Sequence, residues 1–372
     1  MTKKHFHSLE ALRFFAFFKV YLLHVPLQGD FPIFSYLKGG GGIGVSFFFV
    51  LSGFLITYLL AFEKLSKGQI NVKNFMIRRS LRIWPLFYLL VILAFILPYD
   101  FKNLIGFHMN GGGYDLDWRY SFTFLENYRM LLLDNWPKTT PLSVFWSLCI
   151  EEHFYIFWVI NFFIIPTKHI FKFLISGFLI AWTARFFDPY IFNNQTINTN
   201  DLFTNIDFFA SGGILGYLVA KDYDAVSIFI LNISNWVKRI ILLFVVLIVI
   251  FQSELLPYEP GTIFFLFRSS IIAILFTLVI AIFIPLESKL RIKNKALAYL
   301  GSISYGLYIF HIIYIHLLFQ YFLHINVKLD NWITISLFMF ATLTASIITS
   351  ALSYHFFEKK FLLLRDRWSF EK

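Results

Sequence analysis

Long apolar runs separated by short polar stretches dominate the chain. A helix that crosses a membrane needs about 20 consecutive, predominantly apolar residues. Ten stretches approach or exceed that length, at about 9–28, 43–62, 81–98, 143–165, 169–187, 202–220, 239–256, 262–285, 297–322 and 331–357. The pattern therefore predicts an all-α, polytopic membrane protein with about ten transmembrane helices, forming a single integral membrane domain over residues 1–372.

Composition supports this class of protein. Of the 372 residues, 58% are hydrophobic and only 15% are charged, whereas about a quarter of the residues of a soluble domain are charged. Cys149 is the only cysteine, which excludes an intramolecular disulfide and a cysteine metal cluster. Residues 1–7 run directly into the first apolar stretch without a small-residue cleavage motif, so we expect an uncleaved first span.

The distribution of basic residues predicts an orientation. If the N-terminus is cytoplasmic, 22 of the 32 Lys and Arg residues fall in cytoplasmic segments and six fall outside. This bias follows the positive-inside rule and favours two cytoplasmic termini. The net charge of +10 does not indicate nucleic-acid binding, because the basic residues are scattered along the cytoplasmic edges without a nucleic-acid motif.

The first predicted span carries two costly ionisable residues, Arg13 and His24. Eleven residues return to within about 20° of the same helix face, about 16 Å further along the axis. Such residues usually mark function in a membrane helix, and histidine is the usual general base near neutral pH. The alternatives are an interfacial histidine at the helix end and a snorkelling arginine that pairs with Glu10.

The fourth predicted span contains Glu151, Glu152 and His153 inside an apolar segment. We expect Glu151 at a depth similar to that of His24, where a carboxylate would orient the imidazole. The two glutamates point about 100° apart on a helix. One is therefore expected to face the site, while the other caps a loop or meets a cation on a neighbouring helix.

Arg79 and Arg82 share one face at the cytoplasmic start of the third span. Guanidinium groups bind phosphate well, which favours an anion site. The alternative is anchoring at the cytoplasmic membrane surface.

Two further spans contain polar residues at membrane depth. In the segment 301–311, we expect the glycines to serve packing, while His311 is either a functional residue or a satisfied core histidine. Asp207 in the sixth span is expected to pair with an arginine.

Two segments outside the spans are also candidates. The glycine-rich segment 39–44 would admit an elongated ligand or form a flexible turn. The long outer loop 99–142 is expected to act as a lid or acceptor-binding element.

Taken in order, these motifs resemble the acyltransferase-3 family of integral membrane O-acyltransferases. The resemblance covers nearly the whole chain. Its motifs here are Glu10-x-x-Arg13, the x10 spacing to His24, GVSFFFVLSGFLIT, Arg79-x-x-Arg82, TPLSVFWSLCIEEHFY, GSISYGLYIFH and Tyr354-x-x-x-Glu358.

The resemblance implies a donor and an acceptor. The donor would be cytoplasmic acetyl-CoA or another acyl-CoA. The acceptor would be a hydroxyl of a lipid-linked or cell-surface carbohydrate. Membrane lipid would surround the protein. No metal is expected. The site residues are then His24, Arg13, Glu151 and Glu152 for catalysis, Arg79, Arg82 and Tyr305 for acyl-CoA binding, and Asp207 and His311 for acceptor binding.

The chain departs from the family pattern in three places. His153 stands where the family commonly has Gln, and Asn205 stands where an Arg often precedes the acid matched by Asp207. The second departure leaves the ion-pair partner of Asp207 open. A fused extracytoplasmic hydrolase-like domain is not recognised, so the chain resembles the stand-alone form.

The sequence therefore predicts an O-acyltransferase of the bacterial inner membrane. His24 would deprotonate the acceptor hydroxyl, which attacks the thioester directly; an acyl-histidine intermediate is the open variant. The alternative is a transporter or flippase of lipid-linked glycans that uses Arg13 and His24 as a proton relay. A non-catalytic membrane partner is disfavoured by the ordered polar motifs. The acyl group, the acceptor and the oligomeric state stay open.

Overall fold

The computed structural model describes residues 4, 6–40, 42–108, 113–192, 200–257, 259 and 262–368. Gly41 of the glycine-rich segment and residues 109–112 of the long loop lie outside this description. Across the described ranges the regular elements are helices, together with two isolated β-bridges, His108–Thr139 and Tyr114–Pro137. The predicted all-α class is confirmed.

Eighteen α-helices make up the described chain. They are α1 (His7–His24), α2 (Pro32–Lys38), α3 (Ile43–Lys67), α4 (Val72–Ile96), α5 (Tyr99–Leu104), α6 (Trp118–Ser121), α7 (Glu126–Leu133), α8 (Trp146–Ile164), α9 (Ile170–Phe192), α10 (Ile206–Lys221), α11 (Tyr223–Asn232), α12 (Asn235–Ile250), α13 (Gln252–Leu255), α14 (Ile263–Ile282), α15 (Lys295–Ser302), α16 (Ser304–His324), α17 (Trp332–Ser353) and α18 (Lys359–Asp366). The other helical elements are short 3-10 turns at Leu142–Val144, Thr167–His169 and Phe203–Asn205, and a π-helical turn at Tyr354–Glu358.

The membrane-spanning prediction agrees with these helices. In the described part of the chain, eight segments are long and apolar enough to cross a membrane, and a ninth is α11–α12 if that pair, bent by 92°, forms one broken span. These nine correspond to the predicted spans two to ten. The first predicted span is α1, which has 18 residues and carries Glu10, Arg13 and Lys19. The chain is thus a multi-pass integral membrane protein.

Glycine contacts bring α3 and α10 together. A Cβ atom added at Gly212 would overlap the carbonyl of Val50, and one added at Gly216 would overlap the carbonyl of Phe54. From the opposite side, a Cβ atom at Gly53 would overlap the backbone of Phe209. Small residues let membrane helices approach closely, so these glycines fix α3, one wall of the candidate site, against α10.

Glycines on two neighbouring helices also hold α1 in place. A Cβ atom added at Gly44 of α3 would lie 2.6 Å from the carbonyl oxygen of Ala16. A Cβ atom added at Gly301 of α15 would overlap the carbonyl of Glu10. The packing role expected for Gly301 agrees with this contact. Both contacts fix the depth and the rotation of α1, and therefore the directions in which Arg13 and His24 point.

The long loop contains three short helices, α5, α6 and α7. The buried Glu126 carboxylate accepts hydrogen bonds from the Tyr114 hydroxyl at 2.6 Å and from the Ser121 hydroxyl at 2.7 Å. Burial and the neighbouring Glu126 carboxylate raise the pKa of Tyr114 above its ordinary value. The loop is therefore a packed element rather than an extended linker.

Candidate active site

A cavity opens between α1, α3, α4, α8 and α16. It encloses about 790 Å³ of empty space, part of it open to solvent. Its lining includes Arg13, Arg79, Arg82, Glu151, Tyr305 and Tyr308. Five of the residues predicted from the sequence therefore meet at one place, which we call the arginine cavity.

The three arginines give this cavity its charge. The Arg13 guanidinium donates to Glu10 at 3.1 Å, as the i, i+3 spacing predicts. The Arg79 guanidinium lies 5.6 Å from the ring centre of Phe75 and 5.7 Å from that of Tyr155, which is a cation–π arrangement. Its buried Nε atom has no hydrogen-bond partner among the described residues. A buried donor without a partner favours a bound anion at this position.

Glu151 is the carboxylate that lines the arginine cavity. It accepts hydrogen bonds from the Ser52 hydroxyl at 2.9 Å and from the Tyr155 hydroxyl at 3.0 Å. Sequence reasoning missed Ser52 and Tyr155 as members of the lining. Both lie within the quoted motifs, and Tyr155 follows Glu151 at the i, i+4 spacing that brings side chains together on a helix.

Glu152 points to a different helix. It is 3% exposed, and its Oε2 atom accepts a hydrogen bond from the Trp84 indole of α4 at 3.1 Å. The hydrogen bonds of Glu151 and Glu152 within the described structure do not reach His24. The expected carboxylate–imidazole contact is thus absent from the geometry, because the rotation of α8 directs one glutamate to α3 and the other to α4.

His24 is paired with His311 of α16 instead. The Nδ1 atom of His24 lies 3.3 Å from the Nε2 atom of His311, and the ring centres are 5.1 Å apart. His311 is completely buried. The separation of 287 residues along the chain gives no sequence signal for this pair, which depends on how α1 and α16 are rotated against each other.

The neighbouring carbonyls define the tautomer of each ring. The Nδ1 atom of His311 lies 3.2 Å from the carbonyl oxygen of Leu307, which only accepts, so this nitrogen carries the proton and Nε2 is an acceptor. The Nδ1 atom of His24 faces both that acceptor and the carbonyl oxygen of Val20, at 3.0 Å. Nδ1 of a neutral His24 therefore carries the proton, which leaves Nε2 as a free base.

Tyr308 separates this histidine pair from the arginine cavity. Tyr308 lines the cavity, and its hydroxyl lies 2.7 Å from the Ser147 hydroxyl and donates to the carbonyl of Val144 at 3.0 Å. Its ring centre lies 5.9 Å from that of His311. His24 and His311 are not among the lining residues, so the pair lies one side-chain layer behind the wall of the cavity.

Tyr305 and Asp207 have different surroundings. Tyr305 lines the arginine cavity, and its hydroxyl donates to the carbonyl of Ile83 on α4 at 2.8 Å. Asp207 is fully buried and forms an ion pair with Arg185 of α9 at 2.6 Å. The expected arginine partner of Asp207 is therefore present, supplied by α9 in place of the family's arginine at position 205. Ser270 also donates to Asp207, at 2.5 Å, which gives the carboxylate no open side for an acceptor.

His153 contacts the long loop. The His153 ring stacks on Tyr128 of α7, with ring centres 5.4 Å apart, so this departure from the family pattern faces the long loop.

Within the described residues, no group of three or more His, Cys, Asp and Glu side chains is placed to hold a metal ion.

Comparison with known proteins identifies the family. The acyltransferase-3 family model, described as an acyltransferase domain, matches residues 6–351. The chain belongs to the acyltransferase-3 family. No solved structure gives a significant match.

Its curated relatives include bacterial O-acetyltransferases. The chain is 29% identical over 333 residues to the peptidoglycan O-acetyltransferase OatA of Listeria monocytogenes, covering 83% of this chain and 49% of the relative. It is 26% identical over 327 residues to the O-acetyltransferase OatA of Staphylococcus aureus, covering 83% and 50%. A putative peptidoglycan O-acetyltransferase of Bacillus subtilis, YrhL, is 30% identical over 156 residues, covering 41% and 23%. The chain thus spans about half the length, or less, of these relatives.

Proposed function

We propose that this chain is a membrane O-acyltransferase that moves an acyl group, most simply acetyl, from acyl-CoA to a hydroxyl of a cell-envelope carbohydrate. The observation that carries the proposal is the arginine cavity with a histidine pair behind its wall. The names of the curated relatives, which are peptidoglycan O-acetyltransferases, support the acetyl group and the carbohydrate acceptor.

The charge of the arginine cavity supports an acyl-CoA donor. Its lining contains three arginines and one glutamate, and guanidinium groups bind phosphate through charge-assisted hydrogen bonds. The positive-inside distribution supports a cytoplasmic position for Arg79 and Arg82, which lie in the first half of α4. Tyr305 ties α16 to α4 beside them, and in this proposal it stabilises the same wall of the donor site.

The distance between Arg13 and His24 along α1 is compatible with an extended donor molecule. Arg13 and His24 are separated by eleven residues, or about 16 Å along the helix axis. The pantetheine arm of an acyl-CoA is extended and carries its thioester at the far end. We propose that the arm follows α1 from the arginines, so that the thioester passes Tyr308 and approaches His24.

The reaction then needs one base. Nε2 of His24 takes the proton from the acceptor hydroxyl while the oxygen attacks the thioester carbonyl. A C–O bond forms, the C–S bond breaks, and the proton returns to the sulfur, which gives an ester and the CoA thiol. His311 takes the orienting role that a carboxylate was expected to play. Glu151, held by Ser52 and Tyr155, balances the charge of the arginines near the thioester.

Mass spectrometry of the cell envelope tests this function. Glycans from cells that express the chain should carry an additional mass of one acetyl group, removable by mild alkali, that glycans from cells without the chain lack. A transporter would change the amount or location of the glycan without that covalent addition. Unmodified glycans in expressing cells would contradict the proposal.

A further inference from the structure

A second cavity lies next to the arginine cavity. It encloses about 890 Å³ of empty space, part of it open to solvent. Val45 and Phe49 of α3 line both cavities, and Trp146 lines the second while the next residue, Ser147, lines the first. Ligands in the two cavities would therefore be separated by a single layer of side chains.

The lining of the second cavity differs chemically from that of the first. Asn200, Asn205 and Gln252 line it, and we therefore call it the amide cavity. The Nδ2 atom of Asn205 donates to the carbonyl of Asp201 at 2.9 Å, and the Gln252 amide faces Gly40 and Arg268. The Trp146 indole and the Arg268 guanidinium also line it, whereas no carboxylate is among its described lining residues. Amides bind hydroxyl and acetamido groups through paired donors and acceptors, and an indole offers a flat apolar face to a sugar ring.

Asn200 supplies an independent sign of a ligand. Its side chain is 7% exposed, and its Nδ2 atom has no hydrogen-bond partner among the described residues. The backbone oxygen of the same residue is satisfied by the Asn127 amide at 2.8 Å. Buried polar groups are nearly always paired, so the orphaned donor calls for an acceptor oxygen such as a ligand hydroxyl or carbonyl.

The amide cavity lies where α3, α8, α10 and α14 begin. Its lining includes Ile43 and Trp146, the first residues of α3 and α8, and also Phe208 and Arg268 near the starts of α10 and α14. These helices are the even-numbered spans of the predicted topology, which enter from outside the cell. The amide cavity thus faces the outer side in the orientation that the basic residues favour.

We propose that the amide cavity is the acceptor site, and that it holds a carbohydrate whose hydroxyl or acetamido oxygen accepts a hydrogen bond from the Asn200 amide while a ring face packs on Trp146. This assignment rests on the proposed acyl transfer. The acceptor enters from the outer side and the donor occupies the arginine cavity, with Val45 and Phe49 between the two cavities. The glycine-rich segment then has a role, since Gly40 and Gly42 form part of the amide cavity wall.

Gly42 offers a way to block this cavity alone. Its backbone has helical angles, φ −60° and ψ −18°, so any side chain is compatible with them. A Cβ atom added there meets nothing within 4 Å. The native Cys149 is buried, so a cysteine introduced at position 42 can be modified selectively.

The test uses the full-length Gly42→Cys protein, purified and returned to vesicles. It is labelled with benzyl methanethiosulfonate, and the label is later removed with dithiothreitol. Ser35→Cys is the matched control, because Ser35 is an exposed residue of the neighbouring α2 and does not line the amide cavity. Two readouts are compared: transfer of acetyl to envelope glycan, and binding of CoA.

We expect the benzyl label at position 42 to reduce glycan acetylation at least about tenfold relative to the unlabelled variant, because it occupies space that the acceptor needs. Dithiothreitol should restore the rate, CoA binding should not change, and labelled Ser35→Cys should transfer as before. The proposal is overturned if position 42 resists labelling, if the labelled protein transfers at the unlabelled rate, or if the label also abolishes CoA binding. Failure of the proposed function itself would look different, since the wild-type chain would then transfer nothing.

Discussion

The arginine cavity and the Arg185–Asp207 pair both place arginines inside the membrane-spanning helices, yet only the arginine of the pair faces a carboxylate counter-ion. Asp207 and Arg185 are at most 1% exposed at their side chains and face each other at 2.6 Å. Arg185 also donates to the carbonyls of Leu266 and Thr204. At the arginine cavity, by contrast, no ion pair joins Arg79 or Arg82 to a carboxylate among the described residues, although Arg79, like Arg185, retains a buried Nε atom without a partner there.

This difference separates structural from functional charges. A buried arginine that faces a carboxylate counter-ion holds helices together, and its charge is already compensated. A cluster of cations around an open cavity leaves hydrogen-bonding capacity for an anion. Both kinds of residue look alike in the sequence, as isolated charges in apolar runs.

The largest effect is expected from breaking the satisfied pair. Asp207→Asn should destabilise the folded protein by about 3 kcal/mol or more, because it leaves the Arg185 cation buried without its counter-charge. Unfolding in detergent, followed by circular dichroism, measures this. The double variant Arg185→Met/Asp207→Leu is the control and should recover much of the loss. If Asp207→Asn is as stable as the wild type, the pair is not the structural element described.

His24→Ala tests the base. We expect acetyl transfer to fall at least about a hundredfold, since this variant lacks the proposed base. The melting temperature and CoA binding should stay near wild-type values. His324→Ala, at the exposed end of α16, is the matched histidine control. Transfer by His24→Ala within a fewfold of wild type would remove His24 from the mechanism.

The donor assignment predicts a smaller, more selective effect. Arg79→Gln and Arg82→Gln should each raise the KM for acetyl-CoA by about tenfold, the value of one charge-assisted hydrogen bond. Arg78→Gln serves as control, because Arg78 neighbours Arg79 on the same helix but donates to the carbonyl of Trp368 outside the cavity. Steady-state kinetics distinguish the cases. An equal rise in KM for Arg78→Gln would indicate a general surface charge effect instead.

His311 should act through position rather than through direct contact with substrate. Gln at this position keeps an acceptor for the Nδ1–H of His24, whereas Phe fills similar space without one. We expect His311→Phe to lower kcat by about tenfold at unchanged KM for acetyl-CoA, and His311→Gln to lie within about threefold of wild type. Equal losses in both variants would mean that His311 only fills the core.

The apolar runs and their local motifs allowed much of the architecture to be predicted. The i, i+3 spacing placed Arg79 and Arg82 on one face, and the ionisable residues of α1 pointed to a site along that helix. These features are local, so helical periodicity determines them.

The contacts between helices could not be predicted in the same way. Whether His24 meets Glu151 or His311 depends on the rotation of α1, which the backbone contacts of Gly44 and Gly301 fix. The sequence indicated an arginine partner for Asp207 but not that α9 supplies it. The amide cavity was also missed, since its lining comes from five separate segments of the chain. Only the glycine-rich segment gave a hint of it.

The most direct measurement is transfer of radiolabelled acetyl from acetyl-CoA to envelope glycan by the purified chain in vesicles. We predict label in alkali-labile esters on the glycan, dependent on the chain and released together with free CoA. Movement of glycan across the vesicle membrane without labelled ester would contradict the account and favour a transporter.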